Sequence, residues 1–273
     1  MKATNALGTK ASTDGYNKTQ LNVDQDMERH VFHRDRLAHF YRWAHVTRAA
    51  KHGDRVIDLG CGTGALATML YANRHAPGAY VGVDIRSRAL DKANEYFSAR
   101  GPFGFVEADL CKEGWSKGVA EKLAELEKTN KDWTFAHKGP ELICSFEFME
   151  HVPGEFVEPW LIETKALMQK HTRFYLSTPC FDGVRKAENH IKEWTFIELK
   201  ELLDKHFKIV NKWGTFLSVK DLELALDAQP NKAEMQTVWD RLKTYYGAEP
   251  MAVIYAPLFP EFARNCIWEL SLP

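Results

Sequence analysis

Nine residues, Val56-Ile57-Asp58-Leu59-Gly60-Cys61-Gly62-Thr63-Gly64, combine an apolar run, a carboxylate and three alternating glycines. Such a run, broken by such a turn, reads as a buried strand, a tight turn and a helix start. Gly60, Gly62 and Gly64 permit positive φ and let a ligand touch bare backbone. The helix that follows offers unpaired N–H groups and a positive dipole end, so the turn is suited to a nucleotide-like ligand. Two ligand classes compete, because Gly60-x-Gly62-x-x-Ala65 also satisfies a dinucleotide fingerprint. Asp58 argues against a dinucleotide: a carboxylate repels a pyrophosphate, whereas it accepts hydrogen bonds from a cationic amino-acid ligand. An oxidoreductase is accordingly disfavoured.

Two further apolar runs end in acids, Val81-Gly82-Val83-Asp84 and Phe105-Val106-Glu107-Ala108-Asp109. Asp84 lies where a carboxylate can hold two ribose hydroxyls. The pattern Asp-x-Gly-x-Gly-x-Gly, from Asp58 to Gly64, resembles the first motif of class I S-adenosylmethionine-dependent methyltransferases. That resemblance implies that Asp58, Gly60, Gly62, Gly64, Asp84 and Asp109 hold S-adenosylmethionine, Asp109 through the adenine amino group. It also implies an α/β, Rossmann-like fold: a seven-stranded sheet of order 3-2-1-4-5-7-6, the last strand antiparallel, with helices on both faces.

A second constellation, Glu147-Phe148-Met149-Glu150-His151, follows the apolar run Leu142 to Phe146. If a helix begins there, positions i, i+3 and i+4 share one face. Two carboxylates and an imidazole on one face suit a divalent ion, magnesium or manganese in preference to a thiolate-seeking metal. His190, in Asn189-His190-Ile191-Lys192-Glu193-Trp194, follows the next strand. Glu-x-x-Glu-His and His-x-x-Glu-Trp resemble motifs of the metal-dependent 2′-O-methyltransferases that modify the 3′ ends of small RNAs. The first motif is similar also to that of the ubiquinone-biosynthesis O-methyltransferases. The resemblance implies metal ligation by Glu147, Glu150, His151 and His190, and O-methylation of a vicinal diol on a small molecule or an RNA 3′ end. His151 or His190 would take the proton. Two alternatives stay open: a metal-independent small-molecule N- or O-methyltransferase, and a non-catalytic S-adenosylmethionine-binding module.

These residues need a scaffold, and alternation of strand and helix patterns from Asp54 onward predicts a parallel sheet covered on both faces. Strands are expected at 55–59, 79–84, 103–108, 141–146, 172–177, 207–216 and 266–270, with helices at 64–73, 87–99, 114–129, 155–170 and 196–205. Residues 1–26 are expected as a polar tail and, as the resemblance implies, 27–273 as one methyltransferase domain, with a helical cover at 27–51 and a helical insertion at 218–262. Two helices divided near Pro230 are expected in the insertion, then a loop with Pro257 and Pro260. The cover is basic, and its Arg34, Arg36, Arg42 and Arg48 read as a solvated face or a phosphate contact.

With 273 residues and 45% hydrophobic content the chain can fill a substantial core. No apolar run approaches the roughly 20 residues of a membrane span, and no membrane partner is expected. The polar N-terminus carries no secretory pattern, and five scattered cysteines form no Cys-x-x-Cys pair, so a reducing cytoplasmic setting is expected. The net charge of −1 speaks against a general polyanion binder.

Overall fold

The computed structural model describes residues 34–72, 76–129, 138–184 and 186–273. The polar tail, the first residues of the helical cover and most of the connection at 129–140 lie outside the described residues.

Seven strands form one sheet: β1 (Arg55–Leu59), β2 (Ala79–Asp84), β3 (Phe103–Glu107), β4 (Leu142–Phe146), β5 (Arg173–Pro179), β6 (Lys208–Phe216) and β7 (Asn265–Ser271). Their order is β3-β2-β1-β4-β5-β7-β6, with β7 antiparallel to both neighbours and β1 to β5 parallel. This is the order the resemblance implied. The helices are α1 (Arg34–Ala49), α2 (Ala65–Ala72), α3 (Ser87–Phe97), α4 (Trp115–Thr129), α5 (Gly154–Leu167), α6 (Phe196–His206), α7 (Val219–Asp227), α8 (Lys232–Tyr246) and α9 (Ala248–Tyr255).

Strand alternation divides the core. Ile57 and Leu59 of β1 join one apolar cluster with Trp160 of α5, Leu199 of α6 and Trp239 of α8. Val56, one residue out of phase with that set, joins the opposite cluster with Val46 of α1, Leu70 of α2 and Phe97 of α3. Asp58 therefore ends up on the α1 and α2 side, beneath the glycine turn.

Local signals explain where several helices begin. Thr195 accepts the Glu198 N–H while the Glu198 carboxylate takes the Thr195 N–H, a reciprocal cap that starts α6. Ser218 and Asp221 do the same for α7. Within the insertion a third helix follows the two expected, because Gly247 turns the chain at φ 83° between α8 and α9. Residues 256–258 and 260–262, expected as a loop, form short 3-10 turns with prolines in their first positions. Among the described residues no helix is long and apolar enough to cross a membrane.

Arg55, 1% exposed, was read only as the start of a strand. Its guanidinium makes a forked pair with Glu141 at 3.0 and 2.8 Å and reaches Glu127 of α4 at 2.7 Å. The pair ties the first residue of β1 to the segment before β4. Truncation in Arg55→Ala leaves two carboxylates beside a void, and the expected cost is about 3 kcal/mol, near the low end for a buried pair because both carboxylates are partly solvated. Urea unfolding of the variant measures it; an unchanged midpoint would show that the fork does not hold the sheet.

Candidate active site

The glycine turn has the geometry its residues permit. Gly60, Gly62 and Gly64 adopt φ values of 78°, 57° and 80°. The N–H groups of Gly60 and Cys61 both reach the Val83 carbonyl, at 2.8 and 2.9 Å, which pins the turn across the top of β2. Asp84 Oδ2 accepts the Gly62 N–H at 2.9 Å, so the acid of the second strand holds the loop of the first. Asp84 also accepts from Arg86, at 3.0 Å from Nε. Gly82 was not singled out in the sequence, yet a Cβ there would come within 2.7 Å of the Phe105 ring and 2.8 Å of Cys61 Sγ. The bare strand position is what allows Cys61 to pack under the turn.

The turn lies between two clefts. One, about 320 Å³, is lined by Asp58, Cys61 and Thr63 together with His39, Phe40 and Trp43 of α1. The other, about 350 Å³, is lined by Asp84, Ile85, Asp109, Leu110 and Phe148. Gly60 and Glu147 border both. The six residues assigned to the cofactor thus border these clefts or form the turn itself. Asp109 stands in the loop after β3, where its Oδ1 accepts the Cys111 N–H at 3.0 Å. Asp58 is buried and receives the Tyr80 hydroxyl at 2.6 Å. Burial, reinforced by the Asp84 charge and opposed by the Tyr80 hydrogen bond, pushes its carboxyl up to about 7.

At the end of β4 the chain takes a different course from a continuous helix. Glu147 sits in left-handed backbone at φ 54°, and Met149–His151 is a single 3-10 turn before α5 begins at Gly154. The four proposed ligands consequently fall into two groups. Glu150, His151 and His190 offer ligand atoms that all lie within 4.8 Å of one another. The carboxylate of Glu147 instead accepts Asn265 Nδ2 at 2.8 and 3.0 Å and Ser177 Oγ at 2.8 Å, and pairs with Arg42 at 3.7 Å. Burial would raise its carboxyl, but the Arg42 charge and the hydrogen bonds from Asn265 and Ser177 hold it below the usual carboxylate range.

The three-residue cluster is carefully oriented. His151 Nδ1 lies 3.0 Å from the Asn189 carbonyl, which makes it the donor and Nε2 the acceptor nitrogen. His190 Nδ1 lies 2.5 Å from the Glu193 carboxylate. The Glu150 carbonyl accepts the N–H groups of Ile191 and Lys192, at 2.8 and 3.2 Å, and so latches the His190 loop to the β4 end. Glu150 is 1% exposed and accepts the Thr178 hydroxyl at 3.0 Å. Burial and then the Glu147 charge push its carboxyl well above the ordinary range. Burial lowers His151.

Sequence reasoning missed Arg42, Asn265 and Ser177, the three partners of Glu147. Arg42 was read with the basic face of the cover, but it is 1% exposed. Trp43 of α1 borders a cleft, whereas Trp194 of the His-x-x-Glu-Trp motif is buried in the core.

A seven-stranded sheet with β7 reversed, and an acid-flanked glycine turn between two clefts, define the class of Rossmann-like S-adenosylmethionine-dependent methyltransferases. A family model described as a methyltransferase domain matches residues 28–229, and the chain belongs to that family. Among solved structures, the N-methyltransferase NodS from Bradyrhizobium japonicum in complex with S-adenosyl-L-homocysteine superposes with a TM-score of 0.54 at 10% identity, over 96% of this chain and 100% of that one. Magnesium protoporphyrin IX methyltransferase (ChlM) from Synechocystis gives 0.52 at 15% identity, over 96% and 94%. The [4+2]-cyclase SpnF gives 0.51 at 14% identity, over 85% and 80%, so a shared fold does not by itself fix the reaction. No curated protein matches the chain in sequence.

Proposed function

We propose that the protein methylates one oxygen of a vicinal diol, with a divalent ion held by Glu150, His151 and His190. The observation that carries this reading is the convergence of those three side chains with each imidazole Nδ1 already engaged, by a carbonyl and by a carboxylate. Such partners orient the Nε2 atoms and raise their basicity, as outer-shell groups of metal sites do. When bound, S-adenosylmethionine supplies an electrophilic methyl group and a divalent ion supplies a Lewis acid for a chelated hydroxyl.

The chain's own residues would do the rest. Asp84 and Asp109 hold the nucleoside half, Asp58 takes the ammonium group, and the glycine turn approaches the cofactor with bare backbone. Magnesium or manganese suits the carboxylate and imidazole set. Glu147, tied to Arg42 and Asn265, borders the acceptor side and shapes it instead of ligating. A small-molecule diol or an RNA 3′ end presents the required oxygens.

Manganese titration of the protein saturated with S-adenosylhomocysteine, read by electron paramagnetic resonance, tests the site. Glu150→Gln and His190→Ala are expected to weaken binding at least about 100-fold, Glu193→Gln about tenfold as an outer-shell change, and Glu147→Gln less than threefold. Wild-type protein that leaves the manganese spectrum unaltered would end the metal reading. A methyl-transfer assay with catechol and a 3′-terminal ribose, each against its single-hydroxyl analogue, would then test the substrate class.

The Arg42-bound state of Glu147 supports a second reading, a metal-independent small-molecule methyltransferase. There His151, kept neutral by burial, accepts the acceptor's proton at Nε2. Full activity in excess chelator is its signature. Cofactor binding without turnover on any acceptor would instead point to an interaction module.

A further inference from the structure

We propose that a separate pocket behind α1 binds a small organic anion with an aromatic or apolar body. The pocket, about 270 Å³, lies between α1, β6, β7 and the α9 end of the insertion. Its volume lies just below the usual span of ligand sites, roughly 300–1,000 Å³, and suits a one- or two-ring molecule. Arg42 borders this pocket and neither cofactor cleft, while Glu147 borders both clefts and not this pocket. The Arg42–Glu147 pair is therefore the partition between them.

Charge sets the sign of the ligand. Arg42 and Arg48 bring the cationic groups to the pocket, burial and then the Arg48 charge lower the neighbouring His45 imidazole so that it adds none, and among the described residues no acidic one lines it. Arg42 is fixed: Nη1 donates to Thr215 Oγ1 at 3.3 Å and Nη2 to His39 Nδ1 at 2.7 Å. Its Nε, fully buried, has no hydrogen-bond partner among the described residues. That N–H has no accessible surface, so Arg42 acts on a ligand through its charge and not through a hydrogen bond. Arg48 is exposed at the rim and can close on the same charge.

The walls set the body of the ligand. Trp213 and Tyr41 supply aromatic surface, and Val253 and Ile254 of α9 the apolar wall. The His45 ring already packs on Trp213 at 4.3 Å between centroids, so the indole is held in place. Gly214 makes the wall possible, since a Cβ there would collide with the Ala256 carbonyl and the Ala263 side chain. Inorganic phosphate would leave these surfaces bare and is the poorer fit.

The test is calorimetric titration of the full chain, saturated with S-adenosylhomocysteine, with 2-naphthoate as probe. Saturable one-to-one binding is expected, at least tenfold weaker for neutral 2-naphthylmethanol and for inorganic phosphate. Arg48→Ala removes the rim cation and Ile254→Glu places an acid there; both positions are exposed, and each is expected to weaken 2-naphthoate at least tenfold without changing S-adenosylhomocysteine affinity. Absence of binding, equal binding of the neutral analogue, or indifference to both variants would overturn the proposal.

Discussion

Arg42→Ala is expected to destabilise the protein by about 3–5 kcal/mol at neutral pH, the range for breaking a buried ion pair from one side. The loss comes less from the attraction removed than from the carboxylate left behind. Glu147 would keep its bonds from Asn265 and Ser177 but lose the charge that offsets its burial. His39 does not take over the role, because burial, the larger cause of its lowered imidazole, persists when the Arg42 charge is gone. Glu147→Gln alone also costs stability, since it strands the guanidinium. The double variant should recover part of the sum, with a coupling of roughly 1–3 kcal/mol in a double-mutant cycle. The sign with pH follows from the lowered Glu147 carboxyl: the pair contributes above the ordinary glutamate range and is lost as pH falls through the folded value. The Arg42→Ala penalty should thus shrink in acid. Additive single effects at neutral pH would show that the two groups do not act as a pair.

The same pair marks where reading the sequence stops. Strands β1 to β5 were legible because each is a short apolar run between turn signals, and their observed bounds differ from the expected ones by a residue or two. The acid-tipped glycine turn was legible because its chemistry is local: a strand, three glycines and a helix start within ten residues. The order of the sheet came from resemblance to a family, since parallel strands that pair across helices leave no local trace of who their neighbours are.

The second constellation was half legible. Spacing of i, i+3 and i+4 places Glu147, Glu150 and His151 together only on a continuous α-helix. The chain instead takes one left-handed residue and one 3-10 turn there, stabilised by contacts no short window contains. Two of the three partners of Glu147 lie 105 residues before it and 118 after it, on α1 and β7. Arg42 in particular looks like its exposed neighbours Arg48 and Tyr41; only the packing of α1 across β6 makes it a core residue. His190 was found because its loop follows β5, and the Glu150 carbonyl that latches the loop is the backbone reason it arrives.

S-adenosylhomocysteine affinity is expected to rise about tenfold per pH unit between roughly pH 5 and 7 and then level off, through one group. Asp58 borders the cleft beside the glycine turn and, without ligand, holds its proton up to about 7. An ammonium group beside it requires the carboxylate, so binding near pH 6 must expel that proton. Calorimetry in two buffers of different ionisation enthalpy should register a release approaching one proton per ligand below pH 7 and none at pH 8.5. The stability of the ligand-free protein is expected to follow the opposite trend. A folded carboxyl raised above its ordinary 3.8 contributes stability that is complete below that value and lost as pH rises through about 7. Asp58→Asn removes both effects: the variant should bind weakly at every pH and, without ligand at pH 8, melt above the wild type. A more stable protein that binds less is the expected mark of a charge buried for a ligand and not for the fold. Wild-type affinity that is flat from pH 5 to 8 would remove Asp58 from the ammonium site.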